Sequence, residues 1–123
     1  MNPTMQIVID FMNVNLHRKL SLDELAKSAQ ISRSNVWRLF KTEAGMPPGQ
    51  YLQKLRMRKA STLLTTTLMS VKRILIEVGY SDKGLFARHF KKAYSMTPSE
   101  YRAKYHNLIL AKNHIASRDR NVG

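Results

Sequence analysis

Residues 21–41 read SLDELAKSAQISRSNVWRLFK, and residues 70–91 read SVKRILIEVGYSDKGLFARHFK. The second stretch varies the first. Ser21-Leu22, Leu25-Ala26, Ala29, Ile31-Ser32, Val36, Arg38 and Phe40-Lys41 correspond to Ser70-Val71, Ile74-Leu75, Val78, Tyr80-Ser81, Phe86, Arg88 and Phe90-Lys91. The offset is 49 residues up to the second serine and 50 from Val36/Phe86 onward, so the second copy carries one extra residue. Each copy is a short apolar-periodic stretch, a tight break, and a longer stretch with basic residues on one side. That is the sequence pattern of a helix-turn-helix. Two copies in one basic chain point to two helices placed in successive grooves of DNA.

The flanking chain supports an all-α reading. Ser21-Leu22-Asp23-Glu24 has the spacing of a capping box, and Ser32 is placed to cap the helix that follows, which runs to about Ala44. Gly45 suits a helix stop. Before these, the spacing of Ile7, Val8, Phe11, Met12, Val14, Leu16 and Leu20 predicts a supporting helix over Met5–Leu20. Pro47-Pro48-Gly49 resets the chain and opens a helix whose apolar side is Tyr51, Leu52, Leu55, Ala60, Leu63 and Leu64. In the second copy, Ser70 caps, Gly79 supplies a positive φ, and a helix from about Asp82 to Ala93 turns Leu85, Phe86 and Phe90 inward. Thr97-Pro98-Ser99-Glu100 opens a last short helix. No alternating run reads as a strand. The expected organisation is one DNA-binding domain over 1–106: a first subdomain over 5–46, a linker helix over 47–67 and a second subdomain over 68–106. A partly disordered extension follows over 107–123.

Composition narrows the partners. The net charge is +13 on 123 residues. From Arg33 to Arg73 Glu43 is the one acid, and from Lys83 to Lys112 Glu100 is the one acid. Such a field attracts polyanions, and phosphate contacts supply most non-specific nucleic-acid affinity. Half of the chain is near the lower size limit for folding alone, so the two halves are expected to lean on a shared element, the linker helix. There is no cysteine, hence no disulfide or thiolate metal site, in keeping with a reducing cytosol. No apolar run reaches the ~18 residues of a membrane span. His17, His89, His106 and His114 have no ligand spacing, the carboxylates read as caps and surface charge, and no catalytic constellation, metal site or cofactor site is found.

The stretch from Ile74 to Arg102 resembles the signature of the AraC/XylS family of bacterial transcription regulators. The resemblance rests on Val78-Gly79-Tyr80-Ser81-Asp82, Phe86, Arg88, Phe90-Lys91-Lys92 and Thr97-Pro98-x-x-Tyr101-Arg102, with Arg56-Met57-x-x-Ala60-x-x-Leu63-Leu64 matching the family's central helix. It covers about Leu16–Tyr105. It implies seven helices, two helix-turn-helix units and recognition helices entering adjacent major-groove segments. It also implies a cytoplasmic, nucleoid-associated protein that binds as a monomer and activates transcription by touching RNA polymerase. Three positions depart from the pattern. Gln30 replaces a turn glycine, so the turn must use a left-handed Gln or another geometry. Leu75 replaces a usual alanine. Gly84 stands where a side chain normally projects toward DNA.

Candidate contacts divide into base readers and phosphate holders. Arg38, projecting from the first recognition helix, is the leading base reader, since arginine pairs bidentately with guanine; the other readings are a phosphate contact or a pair with Glu43. Trp37 either packs on a thymine methyl or sugar, or covers the helix junction. Arg33 and Ser34, at the helix start, reach either phosphate or base edges. Lys83 and Arg88 are the base candidates of the second unit, with phosphate clamping the alternative for Arg88. Lys41, Arg56, Lys91 and Lys92 are assigned to phosphate. Two other functions fit the same charge: a basic module docking on polymerase or another regulator, and non-specific packaging of nucleic acid. The chain also fits either a stand-alone regulator or the C-terminal domain of a larger, ligand-sensing one.

Overall fold

A computed structural model describes residues 2–106. Six helices run in order: α1 Pro3–Val14, α2 Leu22–Ser28, α3 Arg33–Glu43, α4 Pro48–Thr66, α5 Val71–Glu77 and α6 Lys83–Tyr94. A seventh, α7, is helical over 98–106. Among the described residues there is no strand. The extension over 107–123 lies outside the described residues.

Most helix boundaries follow from local chemistry. At the head of α2, Ser21 Oγ accepts from the Glu24 amide at 3.2 Å while the Glu24 carboxylate accepts from the Ser21 amide at 2.9 Å. That returned hydrogen bond, with Arg18 beside it at 2.8 Å, holds the Glu24 carboxyl below its usual pKa. Ser32 caps α3 by accepting from Asn35, Ser70 accepts from Arg73, and Asp82 caps α6 by accepting from Leu85. The supporting helix differs from the expected Met5–Leu20. Asn2 Oδ1 accepts from the Thr4 and Met5 amides, and Pro3 takes the first helical position, so α1 starts earlier. It stops at Val14 because Asn15 turns its amide back to Met12 and its side chain to the Phe11 carbonyl.

The turns repeat as well. α2 ends with Gln30 at φ +55, the Gln30 amide on Lys27 and the Ile31 amide on Ala26. This is a Schellman ending with glutamine in the left-handed position. α5 ends the same way, with Gly79 at φ +86 and the Tyr80 amide on Leu75. The caps that follow are Ser32 and Asp82, so the extra residue of the second copy lies in its turn: Ile31 alone separates Gln30 from Ser32, while Tyr80 and Ser81 separate Gly79 from Asp82. A left-handed L-residue costs ~1–2 kcal/mol, and glycine returns ~0.4–1 of that as unfolded-chain entropy. Gln30→Gly is therefore expected to stabilise the chain by about 0.5–1 kcal/mol, read as a higher urea midpoint at unchanged slope.

Two compact units result. The first is Met1–Met57 together with Glu77–Gly79; the second is Arg58–Ile76 with the chain from Tyr80 onward. The helix expected as a separate linker is divided between them. In the first unit α1 packs on α2 and α3 around Met5, Val8, Met12, Leu16, Leu25, Val36, Phe40 and Leu55. In the second, Ala60, Leu64, Ile74, Leu75, Phe86 and Phe90 are buried. The closing contacts also repeat: Tyr51 meets Phe40 edge-on at 5.3 Å, and Tyr101 meets Phe90 edge-on at 5.3 Å. Thus α4 closes the first unit and supports the second, and α7 closes the second.

Arg56 corrects an expectation. Assigned to phosphate, it is only 9% exposed. Its guanidinium donates to the Val78 carbonyl at 3.0 Å and the Arg18 carbonyl at 2.9 Å. Its counterpart 50 residues on is His106, also buried, with Nε2 on the Thr67 carbonyl at 3.1 Å. Arg102 donates to Leu64 and Thr67 beside it. In both units a polar side chain from the closing helix satisfies one carbonyl just after the supporting helix, that of Arg18 in the first and that of Thr67 in the second.

Candidate nucleic-acid interface

Each recognition helix buries one narrow stripe, flanks it with half-buried positions and leaves its outer face in solvent. In α3 the buried pair is Val36 and Phe40; in α6 it is Phe86 and Phe90. Residues advance about 100° each around a helix, which puts Arg38 and Arg88 nearly opposite those stripes. Both are exposed, and neither has an intramolecular hydrogen bond or ion pair among the described residues. The pair with Glu43 open to Arg38 in the sequence does not form.

Around Arg38 the exposed face of α3 carries Ser34, Asn35, Trp37, Lys41 and Thr42. Trp37 is 45% exposed, so its ring is neither buried in the junction nor free of the surface. Asn35 and Thr42 were missed by sequence reasoning. With Arg38 they line an open groove that also takes in Asn2, Thr4, Ile31, Leu39 and Glu43. The signal was present: Asn35 lies three residues before Arg38 and Thr42 four after, on the same face, and an Asn amide matches adenine as Arg matches guanine.

Arg33 stands apart from that face. It is five residues from Arg38, about 140° around the helix. Its Nε lies 3.3 Å from Asp23 Oδ1, with both side chains largely exposed. It is brought to the α2–α3 junction rather than beside Arg38.

In α6 the exposed face is Lys83, Gly84, Leu85, Arg88, Lys91 and Lys92, with Ala87 half-buried. Leu85, expected to point inward, is 37% exposed. It precedes the buried Phe86 by one residue, about 100° around, and that step carries it to the outer side. The half-buried edge holds His89, whose Nδ1 lies 2.6 Å from the Tyr80 hydroxyl. Register by register, Ser34, Asn35, Trp37, Arg38, Lys41 and Thr42 are matched by Gly84, Leu85, Ala87, Arg88, Lys91 and Lys92. Arginine and the lysine three residues on are common to both faces; the other four positions differ in chemistry. Four lysines, Lys41, Lys83, Lys91 and Lys92, and two free guanidiniums on outward faces suit phosphate and base edges.

Comparison with known proteins agrees with this geometry. Residues 25–104 match the family model described as "Helix-turn-helix domain". The lactose operon transcription activator of Staphylococcus xylosus is 39% identical over 101 residues, 82% of this chain and 36% of that protein. The crystal structure of an AraC-type transcriptional regulator from Chromobacterium violaceum superposes with a TM-score of 0.80 at 31% identity, covering 84% of this chain and 92% of that one. The DNA-binding domain of AdpA, solved with a target DNA, superposes with a TM-score of 0.78 at 27% identity over 86% and 96% of the two chains. The chain spans about a third of the length of the first curated relatives it matches. Among the described residues no helix is long and apolar enough to cross a membrane. A doubled helix-turn-helix with matched caps and matched arginines, and this set of relatives, have one common meaning: the chain belongs to the AraC-type family of DNA-binding helix-turn-helix transcription regulators.

Proposed function

We propose that the chain binds an asymmetric double-stranded DNA site as a monomer in the bacterial cytoplasm, α3 and α6 each reading one of two major-groove segments about one helical turn, ~34 Å, apart. The observation that supports this reading is the pair of unpartnered arginines, Arg38 and Arg88, in equivalent register on two exposed helix faces. In it Arg38, with Ser34 and Trp37, meets base edges in the first segment. Arg88 and Lys83 do so in the second. Lys41, Lys91 and Lys92 hold phosphate. The output is activation through contact with RNA polymerase. The names of relatives such as the S. xylosus activator and the transcriptional activator RhaR of Mannheimia succiniciproducens support that sign.

Selection of duplexes from a random pool at physiological salt tests the reading. Two short motifs ~10 bp apart are expected. No enriched motif would sink it in favour of a protein-docking module. On the selected site, Arg38→Ala is expected to weaken binding about tenfold or more and to flatten the base preference at one position. Lys41→Ala should weaken all duplexes alike and lower the salt slope by about one.

A further inference from the structure

Gly84 lies in the first turn of α6, four residues before Arg88 and so on the same face. Helical side chains lean back toward the N-terminus, which carries Arg88 over Gly84. A Cβ on Gly84 would stand 3.5 Å from Arg88 Nη1 and 3.3 Å from Asp82 Oδ1. The guanidinium therefore borders the space that a side chain at 84 would fill. Asp82 closes the other side, held there by its 2.8 Å bond from the Leu85 amide. In the first unit the equivalent residue is Ser34, which carries the side chain that Gly84 lacks, and Arg38 borders the groove shared with Asn2, Thr4, Asn35 and Thr42.

We infer that Gly84 sets the specificity of the second unit: the slot it leaves receives the Arg88 guanidinium, so that Arg88 addresses a different base pair from the one that Arg38 addresses at the same register. This rests on the DNA-reading proposal above. The two arginines are identical in type and position, and what differs is the residue four before each. A larger side chain at 84 cannot move toward Asp82 without disturbing the α6 cap, so it displaces Arg88. Successive bases are ~3.4 Å apart along a strand, so a displacement of that order moves the donor fork to another base pair. The absent side chain is thus the means of aiming the arginine, and the second unit reads bases rather than only clamping the backbone.

The test is Gly84→Ser, which restores the arrangement of the first unit, beside Gly84→Ala, Arg88→Ala and the wild-type chain. Binding is measured by fluorescence anisotropy at one salt concentration. The duplexes are the selected one and a set of single base-pair changes across its second half-site. Wild-type protein is expected to prefer guanine at one position there. Gly84→Ser should lose about tenfold on that duplex and recover when the guanine is moved to a neighbouring position. Gly84→Ala, whose methyl fits at near-contact distance, should keep the wild-type preference. Arg88→Ala should lose the preference and recover on no duplex. Matched thermal melting of Gly84→Ser and wild type assigns the change to aim rather than folding. If Gly84→Ser keeps the wild-type preference within twofold, the inference falls while the DNA-reading proposal stands; if Arg88→Ala keeps it, the inference falls together with the assignment of Arg88 as a base reader. If the wild-type chain shows no base preference in either half-site, the DNA-reading proposal itself has failed.

Discussion

Gly79→Ala is expected to cost the fold about 3–5 kcal/mol: ~1–2 for an L-residue at positive φ and the rest for overpacking. Gly79 sits at φ +86, and a Cβ there would overlap the Leu16 carbonyl oxygen and the Arg56 guanidinium. The guanidinium has some freedom to give way; the Leu16 backbone, buried beside the core, has little. The first unit supplies the control. Gln30 holds the same left-handed position at φ +55 with its side chain in solvent. The backbone conformation alone is therefore tolerated, and what separates the two turns is the space available. Total stability for a small domain is ~5–15 kcal/mol, so the alanine variant should lose a large share of its stability and melt well below the wild-type chain. Urea unfolding checks this. A loss of only ~1 kcal/mol would mean that the close approach to Leu16 is not rigid.

Arg56→Ala is expected to cost about 3–5 kcal/mol, because it strands two carbonyls, the buried one of Val78 and the part-buried one of Arg18. Lysine should rescue little, since one ammonium lacks the planar fork that spans both acceptors. The slope of DNA affinity against salt should stay the same under conditions where the variant is folded. A slope lowered by about one with little loss of stability would return Arg56 to the phosphate contacts. The two substitutions should also couple. Removing the guanidinium relieves part of the Gly79→Ala overlap, so the double variant should be less destabilised than the sum of the singles.

Much of this was legible in the chain because the repeat is enforced by local chemistry. Ser21, Ser32, Ser70 and Asp82 cap helices through amides at most three residues away, and Gly45 and Gly79 take positive φ where a helix must end. Such bonds depend on neighbours in sequence and are read from it. The family resemblance left Gln30 either a left-handed turn or another geometry, and the chain takes the left-handed one at φ +55. Asn2-Pro3 was equally local and was overlooked in favour of the apolar spacing that starts later. Arg56 was not legible. Its acceptors are backbone carbonyls 22 and 38 residues away, and no side-chain pattern marks a carbonyl that needs a donor. At the interface, charge picked out Arg38 and Arg88 but also Arg33, whose pairing with Asp23 depends on how α2 meets α3. Uncharged Asn35, Thr42 and Leu85 carry no such flag, and only their place around the helix brings them to the outer face.

The first compact unit is not a contiguous piece of chain: Glu77–Gly79 complete it from beyond α4. During synthesis this has a temporal meaning. When residue 57 leaves the ribosome, the core of the unit has all its apolar helices, but the Arg56 guanidinium still lacks the Val78 acceptor. The unit closes only when some twenty further residues have been made. By then all of α5 and all of the helix that supports the second unit are already in hand, so the loop to be closed is largely preformed and its entropic cost is modest. Neither half can be released intact by a single cut, and native-state hydrogen exchange should find the amides of residues 77–79 opening together with those of α2 in the same unit.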